Sequence, residues 1–152
     1  MKKIAIASDH AGFALKEKLK SYLKRKGFLV EDFGTYSEER CDYPGYAYQV
    51  AVAVSSGKIK KGILICKSGI GNSIVANRLP GVRAALCYNV EAAKLSRQHN
   101  DSNVLVLGSG FVNSAKAKKI LSVWLSTGFE GGRHKWRLDE IKEIEKKIRS
   151  RR

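Results

Sequence analysis

One thiol stands where its surroundings could turn it into a reagent. Cys66 follows the uncharged run Gly62-Ile63-Leu64-Ile65 and precedes Lys67-Ser68-Gly69-Ile70-Gly71-Asn72-Ser73. The run reads as a buried strand, and a helical pattern resumes over about 72–78. Two glycines in the intervening turn let backbone N–H groups converge on one point, and a helix start adds partial positive charge. Such a nest binds a phosphate, or an oxyanion that develops during a reaction. A thiol set in it is expected to have a lowered pKa and to act as nucleophile or general base. The same stretch also fits a buried structural cysteine before an ordinary strand-to-helix turn, and by itself it does not separate the two readings.

Two phosphate-binding motifs can be set aside. Lys67-Ser68 matches the end of the G-x-x-x-x-G-K-[ST] loop, but Lys61 and Cys66 stand where that loop needs glycine. Gly69-Ile70-Gly71 opens like a dinucleotide fingerprint, but Ile74 occupies the position that must be small. Neither a nucleoside triphosphate nor a dinucleotide is expected.

The elements that must position the thiol follow from periodicity. Residues 2–8 and 28–33 read as strands around a helix that carries Leu15, Leu19, Tyr22 and Leu23 on one stripe and stops at Gly27. A long polar loop over 34–44 leads to a helix over about 45–55. The strand at 62–66 and its helix are followed by a break at Pro80-Gly81. Strands over 82–86 and 103–107 then flank a helix over about 90–98, with His99-Asn100-Asp101 as a loop. A helix over about 114–126, a glycine hinge at Gly131-Gly132 and a charged helix over about 137–149 complete the chain. Five strands alternating with helices predict a Rossmann-like three-layer α/β/α fold with a five-stranded parallel sheet in the order 2-1-3-4-5. The switch point of that order lies between the first and third strands, which places Asp9-His10 beside the Cys66 loop. The whole chain, 1–152, is expected to form one domain, with a helical tail over 133–152. The narrow apolar stripe of the tail, behind its glycine hinge, suits packing on a partner subunit.

The chain is 43% hydrophobic without excess glycine or proline, so it is globular rather than disordered. Its three cysteines, Cys41, Cys66 and Cys87, are odd in number and at no metal-ligand spacing, which fits a reduced, cytoplasmic protein. The N-terminal apolar run ends before Asp9 and is too short for a signal peptide or a membrane span. A net charge of +15 raises nucleic acid as a partner. That charge is spread over helix faces and tails with no aromatic interleaving, which argues for a solvated surface that steers an anionic small substrate.

The crevice is thus expected to offer a thiol, a carboxylate, imidazoles, a glycine nest and, as a phosphate clamp, Arg133 and Arg137, which lie i, i+4 at a helix start, a poor place for cations unless an anion is near. This set suits proton abstraction beside a carbonyl on a phosphorylated substrate. The motifs Ser8-Asp9-His10-Ala11-Gly12-Phe13, Asp32-Phe33-Gly34-Thr35-Tyr36, Asp42-Tyr43-Pro44, Gly62-Ile63-Leu64-Ile65-Cys66 with Gly69-Ile70-Gly71, Arg83-Ala84-Ala85-Leu86-Cys87, Ser96-Arg97-Gln98-His99-Asn100 and Phe129-Glu130-Gly131-Gly132-Arg133-His134 occur in this order. Through them, and as far as about residue 141, the sequence resembles the ribose-5-phosphate isomerase B family, which includes galactose-6-phosphate isomerase subunits.

The resemblance implies an aldose–ketose isomerase of the pentose phosphate pathway that uses no metal and no cofactor and interconverts D-ribose 5-phosphate and D-ribulose 5-phosphate. It implies a homodimer or a dimer of dimers with sites at the subunit interface. By the family pattern Cys66 removes the proton at C2 and returns one at C1 of an enediolate. The N–H groups of the loop Lys67, Ser68, Gly69, Ile70 and Gly71, with Asn100 of the partner, hold the enediolate charge. Ser68 and His99 open the sugar ring and move hydroxyl protons. Asp9 and Tyr43 bind sugar hydroxyls, and His10, Arg133 and Arg137 bind the phosphate. His134 is given no role, and Cys41 and Cys87 are read as structural. The sequence departs from the family pattern at Lys67, where glycine is usual, at Ser68, where threonine is, and at Gly45, where an acidic residue is common. It departs again at Gly110, where many members carry a phosphate-binding arginine. Lys67 is expected to offset that lost charge. The departures keep isomerases of allose 6-phosphate, galactose 6-phosphate or erythrose 4-phosphate as alternatives. A non-catalytic phosphosugar-binding module is a further one, against which the thiol argues.

Overall fold

The structure is a computed structural model that describes residues 2–151; Met1 and Arg152 lie outside the described residues, so the tail expected over 133–152 is described to residue 151. The strands are β1 (Lys3–Ser8), β2 (Leu29–Asp32), β3 (Lys61–Cys66), β4 (Ala84–Leu86) and β5 (Val104–Gly108). The helices are α1 (Phe13–Arg25), α2 (Tyr43–Ser55), α3 (Ile70–Ala76), α4 (Val90–Asn100), α5 (Ser114–Ser126) and α6 (Arg133–Ser150), and a 3-10 turn over His10–Gly12 leads into α1. β1, β3 and β5 are short apolar runs buried on both faces, which is what a parallel sheet covered by helices requires. On one face Leu15, Leu19 and Leu23 of α1 join Ala93 of α4 and Ala117, Ile120, Leu121 and Trp124 of α5 in one core. On the other, Ala47, Val50, Ala51 and Val54 of α2 pack with Ala76 of α3. Among the described residues no helix is long and apolar enough to cross a membrane.

The three-layer parallel architecture is as expected, but the order of its last two strands is not. The sheet runs β2-β1-β3-β5-β4 rather than 2-1-3-4-5. β4 has only three residues, all half-buried, and suits an edge, whereas every residue of β5 is buried and belongs inside. Returning from β4 to an inner β5 also carries α4 to the face that holds α1 and α5, as a right-handed crossover requires. The switch point between β1 and β3 is unaffected.

Three boundaries differ in ways that matter for the site. α2 begins at Tyr43, with Pro44 in its first turn, where a missing N–H costs nothing. His99 and Asn100 end α4 instead of lying in a loop. The helix stops only at Asp101, which takes the left-handed conformation at φ 47°. α6 starts at Arg133, immediately after Gly132 at φ 56°, so Arg133 and Arg137 both lie in its first two turns.

The carboxyl end of the sheet is braced by an ion pair that periodicity conceals. Lys16 of α1 is fully buried, and its ammonium donates to both carboxylate oxygens of Asp32 at 2.7 Å and to the Thr35 carbonyl at 2.6 Å. Lys20 adds a third bond to Asp32 at 2.7 Å, and the Gly34 N–H a fourth at 2.8 Å. Burial pushes the Asp32 carboxyl up, but the two ammonium groups and this N–H outweigh it and hold its pKa below the ordinary carboxylate value.

Candidate active site

Cys66 is the last residue of β3, paired with Gly108 at the end of β5, and 5% exposed. The chain turns sharply behind it. Gly69 adopts φ 83°, a left-handed conformation, and its N–H donates to the Cys66 Sγ at 3.2 Å. A side chain at Gly69 would strike Leu86 and the Leu107 carbonyl, so both conformation and space require glycine there. The Ser68 hydroxyl accepts the Ile70 N–H at 3.1 Å, and the Ser68 carbonyl accepts the Tyr88 hydroxyl at 2.7 Å. Tyr88 is itself stacked on Phe111, with ring centres 5.0 Å apart. The loop is therefore fixed from both sides before any ligand arrives.

The lowered pKa expected of Cys66 is not found. Burial pushes the thiol up, the N–H groups of Asn72, Gly69 and Ser68 pull it back only in part, and the Asp9 carboxylate adds to the upward shift. α3 has seven residues, too few for its dipole to outweigh the loss of water around the sulfur. The result is a thiol that is harder to ionise and, once ionised, a stronger base.

The other residues of this end arrive from the neighbouring loops. The Asp9 N–H donates to the Ile65 carbonyl at 3.3 Å, and the Asp9 carboxylate caps the 3-10 turn through the Gly12 N–H at 3.1 Å. Capping and proximity to the thiol are thus combined in one residue. Nδ1 of His10 lies 3.0 Å from the Cys41 carbonyl and 3.2 Å from the Cys41 N–H, which orients the ring and ties down the long loop before α2. Tyr43 lies over Gly71 so closely that a side chain at 71 would overlap its ring. The Ser109 hydroxyl donates to the Ala11 carbonyl at 2.8 Å and closes the far wall. A side chain at Gly110 would meet Lys67 Cε at 2.8 Å, so Lys67 fills the space that residue 110 leaves.

His99, Asn100, Arg133 and Arg137 are elsewhere. α4 runs antiparallel to the strands, so its end lies at their amino ends. Arg97 bonds the Ser102 and Thr127 carbonyls there, and Asn103, just beyond, accepts the Gly62 N–H at the start of β3. The Glu130 N–H donates to the Gln98 carbonyl at 3.0 Å and brings the start of α6 to the same place. The His99 and His134 rings stack there at 4.2 Å, with the Glu130 carboxylate 3.9 Å from one and 3.6 Å from the other. β3 alone spans about 16 Å between the two ends of the sheet. One chain therefore assembles Asp9, His10, Tyr43, Cys66 and the loop from Lys67 to Gly71. It assembles His99, Arg133 and the first turns of α6 separately, at the opposite end.

Sequence reasoning missed Tyr88 and Phe111, the Lys16–Asp32 brace, and the grouping of Glu130 and His134 with His99. The brace had a signal: an aspartate closing a short strand, Leu29–Asp32, must find a cation or water, and α1 offers Lys16 on the stripe that also carries Leu19 and Leu23. The Tyr88–Phe111 stack had none, since its members are far apart in sequence and neither lies in a recognisable pattern.

A family model described as ribose/galactose isomerase matches residues 4–141. Ribose-5-phosphate isomerase B of Escherichia coli is 50% identical over 147 residues, which cover 97% of this chain and 99% of that protein. The solved ribose-5-phosphate isomerase B of Clostridium thermocellum superposes with a TM-score of 0.94 at 49% identity, covering 96% of this chain and 99% of the other. The Mycoplasma genitalium ribose-5-phosphate isomerase B, solved with bound ribulose 5-phosphate, superposes with a TM-score of 0.91 at 44% identity, covering 95% and 96%. The chain belongs to the ribose/galactose isomerase family.

Proposed function

We propose that the chain interconverts D-ribose 5-phosphate and D-ribulose 5-phosphate at a site completed by a second copy of itself. The observation that carries this reading is the Cys66 sulfur, buried at the carboxyl end of β3 and met by a backbone N–H of a left-handed glycine turn. A pure binder needs the nest but not the thiol. The relative that holds ribulose 5-phosphate supports the substrate class.

In this reading the Cys66 thiolate takes the proton from C2 of the open-chain aldose. The electron pair moves to the carbonyl oxygen, giving an enediolate; the O2 hydroxyl then gives up its proton, O1 gains one, and the thiol returns its proton to C1, which leaves the carbonyl at C2. The charge that appears on the enediolate oxygens is met by the N–H groups of the 67–71 loop and by Asn100 of the partner subunit. Donors aimed at such a charge contribute about 3–4 kcal/mol each. A thiol whose pKa is raised by burial suits the task, because abstraction from carbon needs a strong base in a dry site. Ser68 and His99 of the partner subunit serve ring opening, and Asp9 and Tyr43 hold sugar hydroxyls. His10 takes one side of the phosphate, while Arg133 and Arg137 of the partner subunit take the other. Lys67, folded over Gly110, supplies the cation that the family usually places at 110.

The shared site rests on two observations. The two groups of residues lie at opposite ends of the sheet, so neither is complete in one chain. The surface around Cys66 also exposes apolar side chains: Ile70 and Ile74 of α3 and Phe111 are each more than half exposed. α6 exposes Trp136, Ile144 and Ile148, a face that suits the partner subunit. A cytoplasmic setting belongs to the same reading, supported by three cysteines that are all unpaired.

The test is isomerase activity on ribose 5-phosphate, allose 6-phosphate, galactose 6-phosphate and erythrose 4-phosphate. Preference for ribose 5-phosphate is expected. Preference for another sugar assigns Lys67 and Gly110 to a changed pocket. Binding without turnover on every sugar makes the chain a phosphosugar-binding module.

A further inference from the structure

We propose that Tyr88 is a positioning residue for Cys66: its hydroxyl holds the Ser68–Gly69 peptide so that the Gly69 N–H stays aimed at the sulfur. What this does for turnover rests on the role proposed for Cys66; the positioning itself does not. In a trans peptide the carbonyl and the N–H point in opposite directions, so a bond that holds one directs the other. The Ser68 carbonyl, which accepts the Tyr88 hydroxyl at 2.7 Å, belongs to the same peptide as the Gly69 N–H, which donates to Sγ at 3.2 Å.

The two preceding peptides are held differently. The Cys66 carbonyl accepts the Ser109 N–H and the Lys67 carbonyl accepts the Gly110 N–H, each at 2.9 Å. Both anchors are main-chain groups of the turn behind β5. The third carbonyl in the row, that of Ser68, lies against Gly108, where any side chain would strike it, and among the described residues no backbone N–H reaches it. Tyr88 supplies the missing donor. It arrives from the end of β4, where the Cys87 N–H is tied to the Val106 carbonyl at 3.1 Å, and it reaches the β3 loop across the end of β5. Its ring stacks on Phe111 with the planes 7° apart, which holds the hydroxyl in place without help from the loop.

A carbonyl that accepts a hydrogen bond polarises its peptide and makes the N–H at the other side a better donor. Gly69, at φ 83°, is free as a glycine to take other conformations, so without Tyr88 the peptide can turn and withdraw its N–H. That N–H is one of three that draw the Cys66 thiol down against burial, and its withdrawal leaves the thiolate harder to form.

Tyr88→Phe removes the hydroxyl and keeps the ring and its stack, so folding is not threatened. Ionisation of Cys66 is followed as the pH dependence of its labelling by iodoacetamide, read on the Cys66 peptide by mass spectrometry so that Cys41 does not interfere. In Tyr88→Phe the labelling midpoint should rise by about half a pH unit. Turnover of ribose 5-phosphate should fall about tenfold in kcat, with KM changed much less. Tyr88→Leu, which also loses the stack, should shift the midpoint no less. An unchanged midpoint in Tyr88→Phe, or a shift in Tyr88→Leu alone, makes the tyrosine a packing residue and overturns the proposal. A shifted midpoint with turnover intact keeps the positioning and overturns its part in catalysis. Labelling needs no substrate, so it decides the positioning even if no sugar is isomerised.

Discussion

The two ends of the sheet are built to different rules. At the carboxyl ends, every group around Cys66 is held by something else: the loop by Tyr88, His10 by Cys41, the strand ends by the Lys16–Asp32 pair. At the amino ends, Arg133 and Arg137 project from the first turns of a helix with no hydrogen-bond partner among the described residues, and Glu130 stands half-exposed between two imidazoles. The first end has the donors and the base but, apart from Lys67, little positive charge for a phosphate. The second has guanidinium groups and imidazoles but no base on a fixed strand end. Each supplies what the other lacks, and cations crowded at a helix start are stable only when an anion or a partner comes to them. On the reading proposed above, the contrast is that of two half-sites, one rigid and one unfinished, each completed by the opposite end of a second copy.

The largest expected effect tests which end holds the base. Cys66→Ala should lower turnover by about 10²–10⁴ while the phosphosugar dissociation constant hardly moves. Retained turnover would break the contrast at its root. The wild type adds a sign. Because burial raises the thiol pKa, the thiolate accumulates only towards high pH, so kcat/KM should climb through the ordinary thiol range instead of levelling off below it. A plateau well below that range would mean that ligand or partner restores the lowered pKa expected from the sequence.

The second prediction tests whether the ends meet. Asn100→Ala should cost about 10²–10³ in turnover, as for one oxyanion donor. Mixed with Cys66→Ala and allowed to exchange subunits, the two disabled chains should recover about one quarter of wild-type activity, since half of the dimers are mixed and each holds one intact site. No recovery would place both residues in one chain's site and contradict the separation along β3.

How much of this was legible depended on distance along the chain. The Cys66 turn is contiguous, and strand, glycines and thiol announce one another within a dozen residues. Asp9-His10 joined it because the switch point depends only on the order of β2, β1 and β3, which was read correctly. The order of β4 and β5 was not, because burial on both faces, rather than sequence order, decides which strand is inner. The expected lowering of the Cys66 pKa failed for a related reason: motif chemistry lists donors, and desolvation appears only with coordinates. His99 and Asn100 looked like a loop because they are polar, yet a helix continues through polar residues until something stops it, here Asp101 in the left-handed conformation. The partition into two ends follows from the antiparallel run of α4, which a motif does not report.

Stability separates the ends as well. Asp32→Asn removes the anion from a fully buried lysine and should cost about 3–5 kcal/mol in denaturant unfolding, as breaking one partner of a buried pair does. The folded-state pKa of Asp32 lies below its unfolded value, so this stabilisation is present above the unfolded value of about 3.9 and is lost as pH falls through the folded one. The wild type should therefore weaken steeply in acid, and the asparagine variant should show a shallower acid limb. A matched loss from Glu130→Gln would deny that Glu130, half-exposed at the other end, is without such a brace.

The smallest effect concerns Lys67, the cation of the Cys66 turn. Lys67 packs its stem against Gly110, and in the proposed reading its ammonium stands in for the charge that the family pattern places at 110. Removing it with Lys67→Gly should raise KM for the phosphosugar about tenfold, the equivalent of about 1.4 kcal/mol, with kcat changed much less. Adding Gly110→Arg to that variant should bring KM back, because the space vacated by the lysine stem admits the longer side chain. Gly110→Arg alone should be harmful, since its Cβ would meet Lys67 Cε at 2.8 Å. This pattern, harmful alone and restorative together, would show that the two departures from the family are one exchange, and that the rigid end keeps its phosphate contact by a different route. An unchanged KM in Lys67→Gly would instead leave phosphate recognition to His10 and to the arginines of the unfinished end, and would sharpen the division between the two halves.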